Sequence, residues 1–452
     1  MIVVPPEERI ADPFGQIAES CPEDISRYLA LFFPVDQKDR YLHYDQIRFR
    51  LEKRLDLALT WSVIKLARER QLKELIHLGE LDQACGFVLT PTIQKAISET
   101  DRHTTSASLE WMLSKIGESK HLQYLLNDLI QDEAVSSSQL EGAATTTSAA
   151  KKFLSKKREP RTPDERMILG NFKMMVLAWQ ARKKDLSLDL ILELHQTGVE
   201  DINDEKYYPG ELRDSDDIVV VDAKNNTLHT PPSAKGLSKR LEKIIRWANE
   251  CHNDAAERNY IHPLVKAAVL HFAIGYEHPF RDGNGRVARS LFYWLMFKND
   301  FSAFRYIAIS VLLKKAAVQY GKSYLYTETD DMDLTYFIDY QCKVILRAIA
   351  TFQKTYKETL KGIEQFNRWL WESGLYKSLS EKQRVIFQVA KANASHSFTT
   401  REVEENLGCS YNTAASVLNG LVNLNLFKKE KRGREWLFSI LSRDEIQKNW
   451  QA

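Results

Sequence analysis

Residues 278–289 read His-Pro-Phe-Arg-Asp-Gly-Asn-Gly-Arg-Val-Ala-Arg, and this stretch predicts the centre of the fold. The segment before it, residues 263–276, starts with a proline and is largely apolar, which is typical of a buried helix. Downstream, apolar residues recur at helical spacing and predict a second helix starting near Arg286. The glycines at Gly283 and Gly285 predict a tight loop between the two helices.

The chemistry of this stretch suits a nucleotide. A glycine-rich loop that opens a helix directs backbone N–H groups and the positive end of the helix dipole at an anion. Arg286 and Arg289 add guanidinium groups that pair with phosphate oxygens. Asp282 offers a hard oxygen ligand of the kind that Mg²⁺ takes together with substrate phosphates. His278 can accept a proton near neutral pH, and Asn284 can hydrogen-bond a phosphate or orient a ligand.

These residues resemble the signature of the Fic family, H-x-F-x-[DE]-G-N-G-R-x-x-R, and match every fixed position. The resemblance implies transfer of AMP from ATP to Ser, Thr or Tyr hydroxyls of target proteins, with self-modification as one outcome. It implies His278 as general base, Asn284 as a second catalytic residue, Asp282 as the Mg²⁺ ligand and Phe280 as a packing residue. The residues expected to bind ATP are Gly283, Asn284, Gly285, Arg286, Val287, Ala288 and Arg289.

A second motif lies upstream, in Ser136-Ser137-Ser138-Gln139-Leu140-Glu141-Gly142. By itself it is also typical of a serine-capped helix that ends at a glycine. It resembles the inhibitory motif [ST]-x-x-x-E-[GN] of the same family, with Ser137, Glu141 and Gly142 at the fixed positions. The resemblance implies that the Glu141 carboxylate pairs with Arg289 and keeps that arginine from the γ-phosphate.

Two further segments resemble parts of the family. Residues 207–213, Tyr-Tyr-Pro-Gly-Glu-Leu-Arg, precede a β-branched run at 217–222 that turns back into 227–232, which predicts a hairpin. It resembles the family's flap, whose exposed edge can hold a target peptide by strand addition. An ordinary surface hairpin is the alternative. Tyr320 and Tyr324 are weaker candidates for contact with the nucleotide base, and packing within the core is the alternative for both.

Whole-chain features set the frame. The 452 residues carry a formal net charge of +2 and five cysteines without C-x-x-C spacing, which argues against a zinc site or a disulfide framework. The N-terminus lacks the pattern of a secretory signal, and no apolar run approaches the roughly 18–20 residues of a membrane span. A cytoplasmic protein with no membrane contact is the expectation.

The chain is predicted to have four segments. Residues 1–115 form an N-terminal helical region with a helix at 61–68, and 116–186 hold the inhibitory motif and connecting helices. The catalytic core covers 187–350, where His195 is expected to be a core or helix-end histidine. Residues 351–452 form a linker helix and a separate C-terminal unit.

That unit resembles a winged helix-turn-helix. Helices are predicted at 379–390, at 398–407 and from Ser410, with a turn at Gly408 and two strands within 427–438. A groove-binding third helix and a basic wing predict DNA contact. Residues 410–416 have no arginine or lysine for base edges, so protein docking stays open as an alternative. The basic residues of the wing, within 428–434, are Lys428, Lys429, Lys431, Arg432 and Arg434.

The predicted fold class is mainly α, with a Fic-type helical core, a small β-hairpin flap and a C-terminal winged helix-turn-helix. The predicted function is that of a protein adenylyltransferase autoinhibited by Glu141, with ATP as substrate and Mg²⁺ as cofactor. Two alternatives stay open. The same site could remove AMP, with Glu141 positioning water, or the chain could be a DNA-binding regulator whose core senses nucleotide.

Overall fold

The structure is a computed structural model that describes residues 2–116, 131–156, 159–200, 202, 207–221, 227–255, 259–372, 374, 378–392, 396–432 and 435–450. It divides into two compact units. The first unit comprises Met1–Ser106 and Ile130–Ile349, and the second comprises Ala107–Leu129 and Ala350–Ala452.

The first unit begins with short helices and one hairpin. Its elements are α1 (Pro13–Ser20), α2 (Ile25–Leu29), α3 (Tyr44–Ile47), α4 (Leu57–Glu69), β1 (Lys73–Leu78), β2 (Gln83–Phe87) and α5 (Pro91–His103). The predicted helix at 61–68 lies within α4. The antiparallel hairpin of β1 and β2 is an addition to the helical region that the sequence predicted. Helix α6 (Ser106–Ile116) follows and falls mainly in the second unit.

The helical core of the first unit surrounds two central helices. The described part of α7 covers 131–140. The elements that follow are α8 (Thr147–Lys156), α9 (Pro163–Gln180), α10 (Leu188–Val199), β3 (Val220–Val221), β4 (Thr227–His229), α11 (Leu237–Asn249), α12 (Pro263–Glu277), α13 (Asn284–Lys298), α14 (Ser310–Lys315), α15 (Ala317–Glu328) and α16 (Thr335–Glu372), whose C-terminal part lies in the second unit. Helices α12 and α13 pack along each other, and α13 also packs on α9 and α10.

Helices α12 and α13 are buried on nearly all faces, because they are apolar around most of their circumference. Helix α12 starts at Pro263, where His262 accepts a hydrogen bond from the N–H of Leu264. It ends at His278, whose φ of +47° stops the helix. Helix α13 starts after Gly283, which has a φ of +84°. The predicted helix at 263–276 is therefore confirmed, and the second helix begins two residues earlier than predicted.

That earlier start corrects the prediction for Gly285. This glycine lies inside the first turn of α13 instead of in the loop, so of the two glycines only Gly283 has a left-handed conformation. The position tolerates a glycine because the N-terminal turn is held by tertiary contacts, described below, that offset its low helix propensity.

Among the described residues, the C-terminal part of the second unit contains three helices and a three-stranded sheet, with a fourth helix after the last strand. The helices are α17 (Glu381–Ala392), α18 (Thr400–Leu407) and α19 (Tyr411–Asn423), and the strands are β5 (Ser397–Phe398), β6 (Phe427–Arg432) and β7 (Glu435–Ile440). The antiparallel sheet has the order β5-β7-β6, and α20 (Arg443–Trp450) follows. The predicted helices and strands are present, and the assignment as a winged helix-turn-helix stays a prediction.

Local capping explains the bounds of two of these helices. Thr399 and Glu402 form a capping box at the start of α18, and Gly408 ends that helix with a φ of +56°. Ser410 caps α19 by accepting a hydrogen bond from the N–H of Thr413. On the wing, Lys428 pairs with Glu430 at 2.9 Å. Arg434, one of the predicted DNA contacts, lies outside the described residues.

Three whole-chain expectations can be compared with the structure. The fold is mainly α, as predicted, and a small hairpin is present at 220–229. All five cysteines are free. Within the described ranges, no helix combines the length and the apolar character needed to cross a membrane.

Candidate active site

His278, the proton acceptor predicted from the sequence, has an unusual backbone conformation. A φ of +47° is unusual for a residue with a side chain and has to be stabilised by its surroundings. Arg213 supplies that support: its Nε donates to the His278 carbonyl at 2.8 Å, and its backbone N–H donates to the Pro279 carbonyl at 2.9 Å. The same guanidinium donates to the carbonyls of Glu277 and Pro232. Arg213 therefore fixes the direction in which the His278 ring leaves the helix.

The His278 ring is in the form that a general base requires. Its Nδ1 lies 3.2 Å from the Gly275 carbonyl, an atom that only accepts, so the proton of the neutral ring is on Nδ1. Nε2 then carries the lone pair. Burial lowers the pKa of His278 to about 4. The ring is neutral at pH 7 and can take a proton from an attacking hydroxyl.

The loop between α12 and α13 is closed by Asn284. Its Oδ1 accepts from the N–H of Phe280 at 2.8 Å, and its Nδ2 donates to the carbonyl of Phe280 at 2.7 Å. Both polar atoms of the side chain are thus engaged in the loop, and the side chain is buried. Phe280 packs into the core, as expected. The predicted contact of Asn284 with a phosphate stays a prediction, while its hydrogen bonds give it a part in shaping the loop.

The first turn of α13 offers donors to an anion. The N–H groups of Asn284 and Gly285 have no acceptor within the helix, as helix geometry requires. The N–H groups of Arg286 and Val287 already donate to the Gly283 carbonyl, each at 3.1 Å. The side chains of Val287 and Ala288 are buried in the core. Their predicted contribution to ATP binding stays a prediction.

Arg286 is a buried cation with unfilled hydrogen-bonding capacity. Its Nη1 donates to the Gly198 carbonyl at 2.9 Å, whereas its Nε and Nη2 have no hydrogen-bond partner among the described residues. Its side chain is fully buried, and burial lowers the pKa of this guanidinium. Buried polar groups are nearly always satisfied. Two unfilled donors beside a helix N-terminus are therefore an observation that a bound anion would explain.

Asp282 lies at the edge of the same loop, partly buried, and its Oδ1 accepts from the N–H of Gly283. The described part of the chain has no cluster of three or more His, Cys, Asp or Glu residues that could hold a metal by themselves. A lone carboxylate next to a phosphate site is nevertheless the donor set that Mg²⁺ uses, since this ion keeps waters and shares substrate phosphates. Asp282 therefore fits the predicted role.

The predicted partner of Arg289 is present. Glu141 Oε1 accepts from Arg289 Nη2 at 2.7 Å, and Ser137 accepts twice, at Oγ from Nε at 2.9 Å and at its carbonyl from Nη2 at 3.1 Å. Burial opposes ionisation of Glu141, but Arg289 and Arg286 lower the pKa of its carboxyl below the usual value. A Cβ on Gly285 would overlap Glu141 Oε1, so the carboxylate lies against the first turn of α13. Ser137 and Glu141 thus converge on Arg289 beside the anion site, whereas Gly142, the third residue of the motif, follows them with a φ of +99°.

Helix α7 has further contacts with the core that the sequence did not indicate. Glu133, two helical turns before Glu141, accepts at Oε2 from the N–H of Ser310 at 2.8 Å and at Oε1 from the Ser310 hydroxyl. On another side, Asn171 of α9 donates to the Ala134 carbonyl at 3.0 Å. Residues 133 and 137 lie on one face of α7, and residue 141 continues this four-residue spacing directly after the helix.

The predicted flap is a short antiparallel pair in which Val220 lies opposite His229. His229 joins it to the core: Nδ1 lies 2.7 Å from Glu328 Oε2, and Nε2 donates to the Tyr276 carbonyl at 2.8 Å. Burial lowers the pKa of His229, but the neighbouring Glu328 more than offsets this, so the net pKa is raised. The flap is therefore attached directly beside the end of α12.

The two tyrosine candidates, Tyr320 and Tyr324, lie on α15 and contact ring side chains of α12. Tyr324 stacks on Phe272 with 5.1 Å between ring centroids, and Tyr320 lies with its hydroxyl 2.8 Å from His271 Nε2. Both tyrosines are partly buried. Their contact with a nucleotide base stays a prediction.

Part of this chain is similar to a known protein family and to several known proteins. Residues 185–296 match the Fic/DOC family. This segment is a Fic-type domain. The segment is similar to that of two curated relatives, "Protein adenylyltransferase Fic" of Drosophila yakuba and "Protein adenylyltransferase fic-1" of Caenorhabditis elegans. Each is 30% identical to this chain, over 120 and 117 residues, and each match covers 26% of this chain. The matches span 21% and 20% of those relatives, so most of each relative lies outside the comparison.

Solved structures also resemble this chain. A Fic family protein from Desulfovibrio desulfuricans G20 is 17% identical to this chain, with a TM-score of 0.47. The match covers 78% of this chain and 97% of that protein. Fic-1 from C. elegans is 18% identical with a TM-score of 0.44, covering 58% of this chain and 71% of its own.

Proposed function

We propose that this chain is a protein adenylyltransferase that transfers AMP from ATP to a hydroxyl side chain. The observation that carries the proposal is Arg286, a buried guanidinium with two unfilled donors at the start of α13. Arg289 is a second buried guanidinium on the next turn of the helix. Two such cations beside a helix N-terminus suit a polyphosphate better than a single anion.

The reaction follows from the position of His278. Nε2 takes the proton from the target hydroxyl, whose oxygen attacks the α-phosphorus of ATP. A new P–O bond forms, and the bond between the α- and β-phosphates breaks, so that pyrophosphate leaves with its electron pair. The first turn of α13, Arg286 and Arg289 bind the phosphates and offset negative charge. A Mg²⁺ ion held by Asp282 would supply further charge neutralisation on the phosphates.

The target is a protein segment in extended form. Val219 and Val221 on the flap are exposed, at 46% and 45%, and the flap is attached by His229 next to the end of α12. A target strand added to this edge would present a Ser, Thr or Tyr hydroxyl to His278. A segment of the protein itself is one candidate acceptor, and the relatives named adenylyltransferases support a protein substrate.

Glu141 regulates this site in the proposal. Its carboxylate holds the Arg289 group that would otherwise bind the γ-phosphate, and it lies against the first turn of α13. A γ-phosphate and the Glu141 carboxylate carry like charge and compete for one guanidinium. ATP therefore adopts a reactive pose only when α7 moves or Glu141 is removed.

A second candidate function is removal of AMP. Glu141 is close enough to His278 to raise the pKa of that ring, although burial is the larger effect and lowers it. A carboxylate beside the general base could orient a water for attack on an AMP-modified side chain.

A DNA-binding regulator is the remaining candidate. Lys429 lies over the ring of Trp436 at 4.6 Å, and Lys431 lies over the same ring at 5.8 Å. A cationic wing with an exposed aromatic suits a phosphate backbone, and the Fic-type domain would then sense nucleotide.

The test uses the Glu141→Gly variant with Mg²⁺ and ATP labelled at either the α- or the γ-phosphate. Transfer of AMP attaches the α-label to protein and adds the mass of one AMP. The His278→Ala change in the same background should abolish labelling and leave ATP binding largely intact. His77→Ala is the matched control, because His77 is an exposed histidine on β1. Attachment of the γ-label instead would show phosphate transfer and contradict the proposal.

A further inference from the structure

His195 contacts the loop of residues 279–283, here called the phosphate loop, through its ring face and through a ring nitrogen. It lies on α10 and is fully buried. Its ring stacks face to face on Phe280, with 3.8 Å between centroids and 8° between planes. Phe280 is the apolar residue at the start of the loop, so one aromatic pair joins α10 to that loop.

Both ring nitrogens are engaged, and they require a single tautomer. The backbone N–H of Gly210 donates to Nδ1 at 3.1 Å, so Nδ1 carries no proton. Nε2 lies 3.0 Å from the Asp282 carbonyl, which only accepts, so Nε2 carries the proton. These two hydrogen bonds require the neutral ring, because an imidazolium has no lone pair to accept from the Gly210 N–H.

The two hydrogen-bond partners of the His195 ring, Gly210 and Asp282, lie in different segments of the site. Gly210 is in the turn that leads to Arg213, and Arg213 holds the backbone of His278 and the base of the flap. Asp282 precedes Gly283, whose left-handed conformation starts α13. The His195 ring therefore connects the turn at residues 208–213, here called the target-side turn, with the phosphate loop.

Helix α10 supports the loop at a second point, where Gly198 accepts from Arg286. A Cβ on Gly283 would lie 3.4 Å from both His195 Cδ2 and Val199 Cγ1, so the loop backbone is packed directly on α10. With its carbonyl held toward α10, Asp282 has its peptide plane and the start of its side chain fixed.

We propose that His195 is a positioning residue for nucleotide binding: its Nε2–H holds the Asp282 carbonyl and orients the loop that receives Mg²⁺-bound ATP. The proposal rests on the proposed function, since it concerns the same phosphate site. The two hydrogen bonds of His195 have different roles in this proposal. The bond to Asp282 sets nucleotide affinity, and the bond from Gly210 orders the target-side turn.

Three substitutions separate these roles. His195→Gln places an amide N–H where Nε2 lies and keeps the donor to Asp282. His195→Asn places an amide oxygen where Nδ1 lies and keeps the acceptor for Gly210. His195→Phe keeps the ring and its stack on Phe280 and loses both bonds.

A matched control is His43 in the N-terminal region. This histidine is also fully buried, stacks on Tyr326 at 4.4 Å and accepts at Nδ1 from the N–H of Asp45 at 3.1 Å. It lies on the N-cap of α3, which is not part of the site. His43→Asn therefore reports what the loss of a buried, stacked histidine does to the protein in general.

The measurement is the Kd for ATP in the presence of Mg²⁺, by calorimetry, in the Glu141→Gly background, with Tm recorded for each variant. Leaving the partly buried Asp282 carbonyl without its donor should raise Kd by roughly tenfold in His195→Asn and His195→Phe. His195→Gln should stay within about threefold of the parent. Equal losses in His195→Gln and His195→Asn, tracking Tm as in His43→Asn, would show a packing role and overturn the proposal.

Hydrogen exchange of the nucleotide-free protein provides a readout that does not depend on ATP. His195→Asn should speed exchange in peptides covering 279–286, and His195→Gln should do so only in peptides covering 208–213. Uniform exchange changes across the domain would contradict the proposal. Failure of the parent to bind ATP, with the local exchange pattern intact, would instead overturn the proposed function and leave the role of His195 in the loop.

Discussion

Removal of the Glu141 carboxylate should raise the rate of AMP transfer. The carboxylate accepts from Arg289 at 2.7 Å, and its side chain is only 20% exposed, so solvent screens the pair weakly. A charge-assisted hydrogen bond of this kind contributes about 1.5–3 kcal/mol. At about 1.4 kcal/mol per decade, loss of the pair should increase transfer by roughly ten- to a hundredfold if the closed arrangement dominates.

Two substitutions grade the effect. Glu141→Gly removes the side chain and should give the full increase, whereas Glu141→Gln keeps a neutral acceptor and should give a smaller one. The fold should be little affected, because Arg289 retains its two contacts with Ser137. Glu141→Gly combined with Arg289→Ala should not be activated, since the proposed mechanism also uses this arginine to bind the γ-phosphate.

The assay compares initial rates of AMP incorporation at saturating ATP and Mg²⁺ for the parent, each single variant and the double variant. Asp24→Asn is a matched control: Asp24 is a buried carboxylate that pairs with Arg54 at 2.8 Å in the N-terminal region, away from the loop. A Glu141→Gly rate below that of the parent would refute the inhibitory role. The water-positioning role of Glu141 in AMP removal would then explain the site better.

Four other predictions follow from the structure. Glu133→Gln should weaken the contact of α7 with Ser310 and increase transfer by up to about tenfold, measured as above; an unchanged rate with unchanged Tm would show that this contact does not hold the inhibited state. The acid limb of the kcat/KM profile should reflect the pKa of His278, about 4 against an ordinary 6.5, because the ring must be neutral to act; a limb near 6.5 would contradict this. The same shift makes the unfolded state bind more protons, so the contribution of His278 to stability should be complete above pH 6.5 and be lost as pH falls toward about 4, as thermal unfolding across pH would show. If the wing binds DNA, affinity of the full chain for duplex should fall with salt, and Lys429→Ala with Lys431→Ala should reduce the log–log slope by about 1–2; absence of binding at low salt would favour protein docking.

Local chemistry made much of the fold predictable. The start of α12, both ends of α18 and the start of α19 depend on a proline, a capping side chain or a glycine within a few residues, as at Pro263, Thr399, Gly408 and Ser410. The prediction of a loop at Gly285 is wrong because it depends on the low helix propensity of glycine alone. Its close packing against Glu141 and Arg289 sets its conformation instead.

The site divides in the same way. The residues of the signature could be assigned roles because their charges and hydrogen-bonding groups lie within one short segment, and Glu141 was connected to Arg289 by family resemblance. No such pattern connected Arg213 with the His278 carbonyl, His195 with Asp282, or Glu133 with Ser310. These pairs are 65, 87 and 177 positions apart. Each depends on a backbone carbonyl, a single N–H or a ring tautomer becoming buried beside its partner. Such contacts exist only after the helices pack, because burial is what makes an unpaired polar group costly and its partner selective.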